Sequence, residues 1–597
     1  MTISDQDIVY WVDLAFIAAA CFAFLLTLPR RFIRFSTPLE RNVSIKLLKG
    51  SPPIERPAED TSSSSPVDSV TSTIPTDDGR GGLYRRSAAA ASPTKRHRGF
   101  LLEAASRVRS CLQSFTLFSV TSEKTAGRLV FIFLYIVAIV AACFAHTDPF
   151  AKPNRLGFVV ASQIPIAVAL STKTSIVTLL TSKGYEKLNF LHRCVGITIF
   201  VVANFHFLGH IYGFALTGTL HKKLKQPFVI WGIFTLIGIY ALFLSSLPFV
   251  RRRSYSLFRA FHFIGIVLVL VCVNFHRHQT RKFIAVAAGL YGADLILRFT
   301  LRQKITKAYL YAVPELGMTR VEIPSIRGGW RAGQHIRLRV LTGMGPTMWF
   351  ETHPFSIVSV SSDNHLNNNE LGDGLVLMCK RVGGWTERLY ALASSARSEE
   401  KAVCVRVSLD GPYGGLADVV LTNYTAALLV AGGSGITFSL GLVEDMVQKA
   451  SRFQTNLRII HLVWIVKNHT NYRALAAEFE SLNARCIASG YSLRFKVSIF
   501  CTRESITSVS STQENAPILR EENDGSKFKM VDTGRPDLPA ILDTIANDAA
   551  VKQWRNGISV CVCGPVELAH KVRESVRKLR TRSQVGGVYL HEETFGW

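Results

Sequence analysis

Four histidines in two apolar stretches are the first residues whose type and spacing indicate chemistry. His192 and His206 stand 14 residues apart, and so do His262 and His276. On an α-helix this spacing makes nearly four turns and about 21 Å of rise, so both histidines of a stretch face one direction at two depths. Two such helices side by side can hold two haem groups, each between one imidazole from either helix. Because both helices are expected to run in the same direction, His192 should pair with His262 and His206 with His276.

The alternative is that these are ordinary membrane histidines, each satisfied by a polar neighbour. A titratable group inside a membrane is costly, however, and marks a functional site by default. Two pairs at one identical spacing favour two b-type haems over four unrelated side chains. His210, one turn beyond His206, has no counterpart at equal spacing and is not assigned to haem.

A second group of motifs, in the C-terminal half, fits a flavin. HPFS (353–356) offers Phe355 to the flavin ring, Ser356 as a hydroxyl donor near N5 and His353 to the pyrophosphate. Alone this tetrapeptide is equally well a plain turn, but GQH precedes it and KRVGGWT follows it, and the latter offers glycine amides and a hydroxyl to phosphate. The predicted FAD site consists of Gln334, His335, His353, Pro354, Phe355, Ser356, Gly383, Trp385 and Thr386.

A third group of motifs fits a dinucleotide. AGGSGIT (431–437) follows a strand-like run and opens a helix-like one, so a pyrophosphate can approach its glycines at the helix N-terminus. Lys467 is placed for the 2′-phosphate of NADPH, and CGP (563–565) ends the last predicted strand, where ligands of such folds bind. DGPYG (410–414) is placed to wall the nicotinamide side, and the terminal Trp597 to cover the flavin ring until nicotinamide displaces it. The predicted NADPH site consists of Gly432, Gly433, Gly435, Thr437, Lys467, Cys563, Gly564 and Pro565.

Plainer interpretations exist for these nucleotide-site features. The glycines suit a turn of any α/β protein, Lys467 a solvated surface and Trp597 an exposed chain end. The order of the motifs along the chain favours the cofactor interpretation.

Seven apolar stretches are long enough, or nearly so, for the roughly 20 residues that a membrane-spanning helix needs. The third is interrupted by Pro165 and Lys173, and the seventh contains Asp294. The histidine pairs fall in the fourth and the sixth. The predicted spans are about 8–29, 128–146, 156–180, 189–212, 227–250, 257–276 and 281–300.

Basic residues indicate which side of the membrane each loop faces. Arg30 and Arg31 follow the first span and Arg251 and Arg252 the fifth, which puts both, together with the C-terminal half, on the cytosolic side. Two short loops on the opposite side disagree with this rule. They contain Lys222, Lys223, Lys225, Arg277, Arg281 and Lys282.

The composition agrees with a membrane part joined to a charged, water-facing part. Of 597 residues 48% are hydrophobic, although 69 are Lys or Arg. Much of the formal charge of +26 flanks apolar runs, which favours membrane lipid over nucleic acid as a partner. The eleven cysteines form no CxxC pair, so neither a zinc site nor a disulfide framework is indicated. Asp5, Asp7 and Asp13 stand where a signal peptide would be basic, so the first apolar run is interpreted as a retained anchor.

Beyond residue 302 the pattern changes from apolar spans to strands. Short β-type runs separated by Gly and Pro predict a small antiparallel barrel, and after about residue 425 alternating strands and helices predict a parallel α/β sheet. Residues 505–535 interrupt this alternation as a flexible insertion, and the polar composition of the segment after residue 50 predicts a disordered loop. The predicted domains are 1–49 (N-terminal membrane helix and basic flank), 50–126 (disordered cytosolic loop), 127–302 (haem-binding transmembrane domain), 303–425 (FAD-binding β-barrel) and 426–597 (NADPH-binding α/β domain).

Taken in order, these motifs resemble those of the fungal ferric reductase family, which shares a superfamily with the NADPH oxidases. The resemblance covers about 125–597 and includes YEKLNFLHRCVG (185–196), FRAFHFIG (258–265) and the terminal EETFGW. It implies a seven-helix membrane domain with bis-histidine haems, followed by a ferredoxin-reductase-like unit that binds FAD and NADPH. Lys467 is a departure, since the related oxidases usually have arginine there; the charge is kept but bidentate geometry is lost.

The resemblance implies a transmembrane ferric-chelate reductase. Electrons would pass from cytosolic NADPH through FAD and two b-type haems to extracellular Fe(III), and also Cu(II), for uptake by a separate system. The expected location is the plasma membrane, with the vacuolar membrane as the alternative. The competing function is a superoxide-generating NADPH oxidase, which uses the same path with oxygen as acceptor. A non-enzymatic membrane protein would require decayed redox motifs, and these are intact.

Overall fold

The structure is a computed structural model. It describes residues 10–18, 21–22, 25, 28, 48–50, 117–121, 125–145, 148, 151–174, 176–181, 183–345, 348–361, 374–396, 402–417, 419–452, 455–467, 470–488, 493–502, 529–530, 534–554, 556–582 and 587–594.

Among the described residues, six helices are long and apolar enough to cross a membrane. Each coincides with one of the last six predicted spans, and the last is continued by a π-helical turn, Arg298–Arg302. The helices of this bundle, short connecting helices included, are α1 (Ala126–Phe144), α2 (Asn154–Ser171), α3 (Ile176–Thr181), α4 (Tyr185–Leu216), α5 (Leu220–Leu224), α6 (Pro227–Ser245), α7 (Pro248–Arg253), α8 (Tyr255–His276) and α9 (Arg281–Leu297).

Two of the predicted spans differ from the structure or lie partly outside it. In the first span, 8–29, residues 10–18 are helical, and Phe16 packs against Tyr135 of α1; most of the rest lies outside the described residues. The third span was predicted too long, because α2 ends at Ser171. Lys173 follows immediately and pairs with a carboxylate outside the bundle, so the chain leaves the helix there.

Contacts with the C-terminal half define two ends of the bundle. The near face is the end at which residues 172–174, the start of α4 and the turn 298–302 contact strands of that half. The far face is the opposite end, formed by the described residues of the loops 145–153, 217–226 and 277–280. Helices α4 and α8 both run from the near face to the far face, as the histidine pairing requires.

The first strands of the C-terminal half form a six-stranded antiparallel sheet in the order β6-β5-β8-β2-β3-β7. A bridge between Ile357 and Leu377 joins the two edges, so the sheet is a nearly closed barrel. Alternate residues of β5 are buried, as expected for a strand with one face on the barrel core. The elements are β2 (Gln303–Val313), β3 (Met318–Ile323), β4 (Ile326–Gly328), β5 (Gln334–Val340), β6 (His353–Ser356), β7 (Leu375–Lys380), α10 (Trp385–Ser394) and β8 (Val403–Gly414).

The remainder forms a parallel sheet in the order β12-β11-β10-β9-β13-β14, with helices packed on it. Its central strands are almost continuously apolar and buried, the pattern of a sheet covered on both faces. The elements are β9 (Ala426–Gly432), α11 (Ile436–Arg452), β10 (Ile459–Val466), α12 (Thr470–Arg473), α13 (Ala476–Ala488), β11 (Arg494–Cys501), β12 (Lys529–Met530), α14 (Leu538–Asn547), α15 (Ala549–Trp554), β13 (Ile558–Gly564), α16 (Val566–Arg582) and β14 (Val588–Thr594). This architecture confirms the predicted fold class.

The two predicted flexible segments, 50–126 and 505–535, lie mostly outside the described residues. The chain on either side of the first segment is anchored. Before it, β1 (Lys49–Gly50) pairs with β4, and the neighbouring Leu48 is buried in the barrel core. At its other end, Ser119 accepts a hydrogen bond from Arg573 of α16 at 3.0 Å.

Candidate functional site

The four histidines of α4 and α8 meet in two pairs, as their spacing predicts. The ring centroids of His192 and His262 are 6.5 Å apart, near the end of the bundle that contacts the barrel. The centroids of His206 and His276 are 6.2 Å apart, towards the far face. First-row metals bind imidazole nitrogen at about 2 Å, so one metal ion between two facing imidazoles would need about this ring separation.

The backbone holds one nitrogen of nearly every histidine in the pairs. The Nδ1 atoms of His192, His206 and His276 lie 2.9, 2.7 and 2.7 Å from the carbonyl oxygens of Ala167, Pro153 and Phe228 respectively. His262 Nδ1 lies 3.2 Å from the hydroxyl of Ser246. A carbonyl can only accept, so Nδ1 carries the proton in three of the rings and the Nε2 lone pair is left for a ligand. This arrangement is typical of metal-bound histidines, whose second nitrogen is fixed by a partner.

Two glycines make the space for the far pair. A Cβ on Gly157 of α2 would stand 2.8 Å from Cε1 of His206, and a Cβ on Gly232 of α6 2.7 Å from Cε1 of His276. Both imidazoles are therefore seated in cradles that any larger residue would fill. A cavity beside them is lined by both histidines and by apolar side chains of α2, α4 and α6. The donor set and the ring separation fit a haem between each pair of imidazoles, and at the far pair the apolar cavity fits one too.

The predicted flavin residues converge on one edge of the barrel. β5 and β6 pair so that His335 is opposite Ser356 and Leu338 opposite His353, which brings GQH beside HPFS. The Trp385 ring lies 4.6 Å from the His353 ring and 6.0 Å from the Phe355 ring. His353, Phe355 and Trp385 thus form one aromatic cluster, and Pro354 lies between the first two on the same strand.

Three of the predicted flavin-site side chains already have partners within the protein. The Thr386 hydroxyl accepts from the amides of Val382 and Gly383 at 3.0 and 3.3 Å, so it shapes the glycine turn. The side-chain oxygen of Gln334 accepts from the backbone of Arg331 at 2.8 Å. His353 Nε2 donates to the Glu351 carboxylate at 3.1 Å, and burial lowers the pKa of this ring. A contact of His353 with a pyrophosphate stays a prediction.

The glycine loop and the CGP turn lie side by side at the carboxyl ends of two adjacent parallel strands. β9 and β13 pair with Ala431 opposite Cys563, so Gly432 lies beside Gly564 and close to Pro565. A Cβ on Gly435 would clash with the carbonyl of Cys563, so only glycine fits at this position. The Thr437 hydroxyl, one residue into α11, donates to the carbonyl of Ser434 at 3.0 Å.

Gly433 and Lys467 complete the predicted nucleotide site. Gly433 has φ +55, the left-handed region that favours glycine, and its carbonyl accepts from the indole of Trp464 at 3.0 Å. Lys467 follows β10, the next strand of the sheet, and is exposed. Trp597, predicted to cover the flavin, lies outside the described residues.

The barrel is attached to the near face through a buried carboxylate that the sequence did not single out for this role. Asp410 accepts from Arg298 at 2.7 Å and from Lys173 at 3.2 Å, and it also accepts from the hydroxyl of Tyr413. Although burial acts in the opposite direction, Lys173 and Arg298 lower the pKa of the Asp410 carboxyl from 3.8 to about 2. Arg302 donates to the carbonyl of Pro412 at 2.6 Å. The described contacts of DGPYG are thus with the membrane bundle, and a contact with nicotinamide stays a prediction.

The parallel sheet is attached to the near face at a second point. Lys187 of α4 lies 3.2 Å from the Glu593 carboxylate, and it donates to the backbone carbonyl of Glu592. Against the effect of burial, Lys187 and the hydrogen bond from His591 lower the pKa of Glu593 from 4.5 to about 2. His335 of the barrel lies close to the same carboxylate, and burial lowers its pKa to about 4.

Signals for this attachment existed in the sequence. Lys173 and Asp294 were noted as interruptions of apolar spans, and charged residues in such places are functional by default. Asp294 accepts from the amide of Thr174 at 2.8 Å and thereby fixes the loop that carries Lys173. The carbonyl partners of the histidines carried no signal, because a backbone acceptor is independent of residue type.

Models of three protein families match the chain. A ferric reductase like transmembrane component matches residues 156–273, an FAD-binding domain matches 303–417, and a ferric reductase NAD binding domain matches 424–577.

Curated relatives are similar to the chain across the same regions. Ferric reductase transmembrane component 6 of Saccharomyces cerevisiae is 23% identical over 473 residues, which is 76% of this chain and 62% of that protein. Ferric/cupric reductase transmembrane component 2 of Schizosaccharomyces pombe is 21% identical over 488 residues, 74% of this chain and 80% of that protein. Ferric reduction oxidase 8, mitochondrial, of Arabidopsis thaliana is 29% identical over 288 residues, 47% of this chain and 36% of that protein. The chain therefore spans less than two thirds of the length of some of these relatives. The three family matches together with the fold show that it belongs to the ferric reductase family.

Proposed function

We propose that the chain is a transmembrane ferric-chelate reductase that uses cytosolic NADPH and reduces Fe(III), and also Cu(II), complexes at the far face for metal uptake. When bound, FAD would accept a hydride and release single electrons, and two b-type haems would carry these across the bundle. One observation carries this proposal. Two pairs of imidazoles lie at two depths of the bundle, one towards the near face, where the barrel and the parallel sheet are attached, and one towards the far face. The family match supports it.

The histidines contribute orientation as well as ligation. An Nδ1–H that donates to a backbone carbonyl fixes both the tautomer and the ring plane, so Nε2 of His192, His206 and His276 points away from the backbone partner. Such pre-oriented ligands lower the reorganisation that a change of iron charge would require. The Ser246 hydroxyl donates to the carbonyl of Leu242 at 2.6 Å, so it accepts from Nδ1 of His262 and orients this ring too.

The cytosolic residues bind and orient the two nucleotides. Gly432, Gly433 and Gly435 leave the start of α11 open to a pyrophosphate, whose negative charge the helix N-terminus favours. Lys467 supplies a positive charge at the same sheet edge for a 2′-phosphate. The aromatic cluster around Trp385 provides an apolar wall for a flavin, and the Asp410 and Glu593 contacts hold both domains against the near face.

The test of this proposal is a direct comparison of acceptors with the purified full-length chain in lipid vesicles. We expect NADPH-dependent reduction of Fe(III)–EDTA under anaerobic conditions, together with the absorption spectrum of bis-imidazole haem. Superoxide formation in air at the rate of NADPH consumption, without chelate reduction under nitrogen, would instead identify a superoxide-generating oxidase. We propose the plasma membrane as its location and a separate metal transporter as the consumer of its product.

A further inference from the structure

The far face carries an accumulation of positive charge that the proposed electron path does not use. Seven Lys and Arg side chains stand in its loops and the adjoining first turn of α9. We call six of them, those of 217–226, 277–280 and the helix turn, the far basic patch. All six are exposed or half-buried. The three far-face loops, 145–153, 217–226 and 277–280, contain a single acidic residue, Asp148. The far basic patch consists of Lys222, Lys223, Lys225, Arg277, Arg281 and Lys282.

This charge distribution is the reverse of the usual one. Short loops rich in Lys and Arg normally lie on the cytoplasmic side, where anionic lipid attracts them. Three basic residues of the near face have carboxylate partners: Lys173 and Arg298 pair with Asp410, and Lys187 pairs with Glu593. Among the ion pairs that the described residues form, by contrast, none includes a member of the far basic patch. Its charge is therefore available to an anion from outside.

The patch is continuous with the cavity at the far histidine pair. Arg277 lines that cavity together with His206 and His276. Phe214 also lines it, and the Lys223 ammonium lies 6.0 Å from the centre of the Phe214 ring. Positive charge thus stands at the end of the cavity nearest the loops, with the imidazole pair deeper in.

We propose that the far basic patch is a docking site for small anionic metal chelates, which it holds at the mouth of the cavity above His206 and His276. This inference rests on the proposed function and adds that the acceptor is selected by its negative charge. Charges separated by less than the Debye length of about 8 Å at physiological salt act together on an arriving anion. A surface of one sign raises the local concentration of oppositely charged substrate and its association rate by about 10-fold to 1,000-fold.

The test uses the full-length chain in vesicles of neutral phosphatidylcholine and two acceptors of opposite charge. These are anionic Fe(III)–EDTA and a cationic trimethylammonium ferricenium, each titrated at low and at physiological salt. The variant is Lys222→Gln/Lys223→Gln/Lys225→Gln. Its control is Lys307→Gln/Lys496→Gln/Lys552→Gln, which removes three exposed lysines of the cytosolic domains.

We expect the triple far-face variant to raise KM for Fe(III)–EDTA by about tenfold at low salt, with kcat unchanged. Its KM for the cationic ferricenium should stay constant or fall. The control variant should behave as the wild type does. Because the anion is attracted by unscreened charge, the difference between variant and wild type should shrink as salt increases.

A binding measurement without electron transfer supports or overturns the same inference. Ga(III)–EDTA has the charge of Fe(III)–EDTA and is not reduced, so its affinity can be measured by titration calorimetry on oxidised protein. We expect affinity to fall in the far-face variant and to be unchanged in the control. Equal Ga(III)–EDTA binding and equal KM in variant and wild type would overturn the inference.

Two further outcomes are separable. If the patch bound lipid headgroups instead, vesicles containing phosphatidylglycerol would change the rates with both acceptors alike. The far-face variant would abolish that change. This result would also overturn the inference. If neither acceptor were reduced while NADPH was consumed with superoxide formation, the proposed function itself would be wrong. Reduction of both acceptors without charge preference would leave the proposed function in place and refute chelate docking.

Discussion

The near and far faces of the bundle hold their charged residues in opposite ways. At the near face, cations of the membrane helices and loops meet buried carboxylates of the barrel and of the last strand. At the far face, the six side chains of the far basic patch lie in the loops and the first turn of α9, and one of them, Arg277, lines the cavity. Arg155 is buried there and donates to the carbonyls at the end of α1. A matched pair of charges fixes two surfaces together, whereas an excess of one sign attracts a mobile ion. The comparison teaches that ion pairs of the near face attach the barrel and the parallel sheet to the bundle, whereas the far basic patch forms no such pair among the described residues, as the proposed docking of an anionic chelate requires.

The largest expected effect comes from breaking the path that joins the two faces. Replacement of His192 or His206 by alanine should remove the haem of that level only, and lower NADPH-dependent chelate reduction by about 100-fold or more. Haem content per chain, from the pyridine haemochrome spectrum, measures the loss. Flavin reduction by NADPH in the same sample verifies that the cytosolic domains are folded. His278→Ala, an exposed far-face histidine, is the control, and full haem content in His206→Ala would refute the assignment.

The next effect concerns the near face alone. Asp410→Asn leaves Lys173 and Arg298 facing a neutral amide, and breaking a buried ion pair costs about 3–5 kcal/mol. We expect haem reduction after mixing with NADPH to slow by about tenfold or more, while flavin reduction keeps its rate. Stopped-flow absorbance resolves the two steps. Asp445→Asn, which breaks a helix-surface pair with Lys449, is the matched control and should leave both steps unchanged.

A smaller effect tests the cradle of the far pair. Gly157→Ala places a methyl group 2.8 Å from the His206 ring, and overpacking of this kind costs about 1–3 kcal/mol. We expect about fivefold weaker retention of the far haem, the lower end of that range, measured by its transfer to apomyoglobin, with the near haem unaffected. Gly289→Ala on α9 is the control, because this glycine is exposed and a Cβ there meets nothing within 4 Å. Equal haem loss from both levels would contradict the assignment of Gly157 to the far pair.

The smallest expected change is in the pH dependence of the Asp410→Asn effect, which should be constant between pH 5 and pH 8. The pKa of Asp410 is lowered from 3.8 to about 2, so the stability that this carboxylate contributes is present above pH 3.8 and lost only as pH falls towards 2. The penalty of Asp410→Asn on haem reduction should therefore be the same at pH 5 and at pH 8. A penalty that disappears at pH 5 would show that Asp410 is protonated there, and that the near face is not held by its charge.

Sequence reasoning succeeded where a local spacing carries a physical constraint. Fourteen residues on a helix determine which histidines share a face, and alternation in β5 determines which side chains enter the barrel core. It was less successful where a charge interrupts an apolar run. The third span was predicted to continue through Lys173, although the helix ends before it. The partner that stabilises this charge, Asp410, is 237 residues away in the sequence and could not be foreseen from the local pattern.

The sequence by itself determined the architecture, the pairing order of the histidines and the succession of flavin and nucleotide motifs, because each depends on periodicity or on residues close along the chain. Only the tertiary structure decided which carbonyls orient the imidazoles, which glycines give them room and which carboxylates attach the barrel and the parallel sheet to the membrane bundle. These contacts join segments distant in sequence, and a backbone carbonyl or a missing Cβ has no residue signature from which to predict its partner.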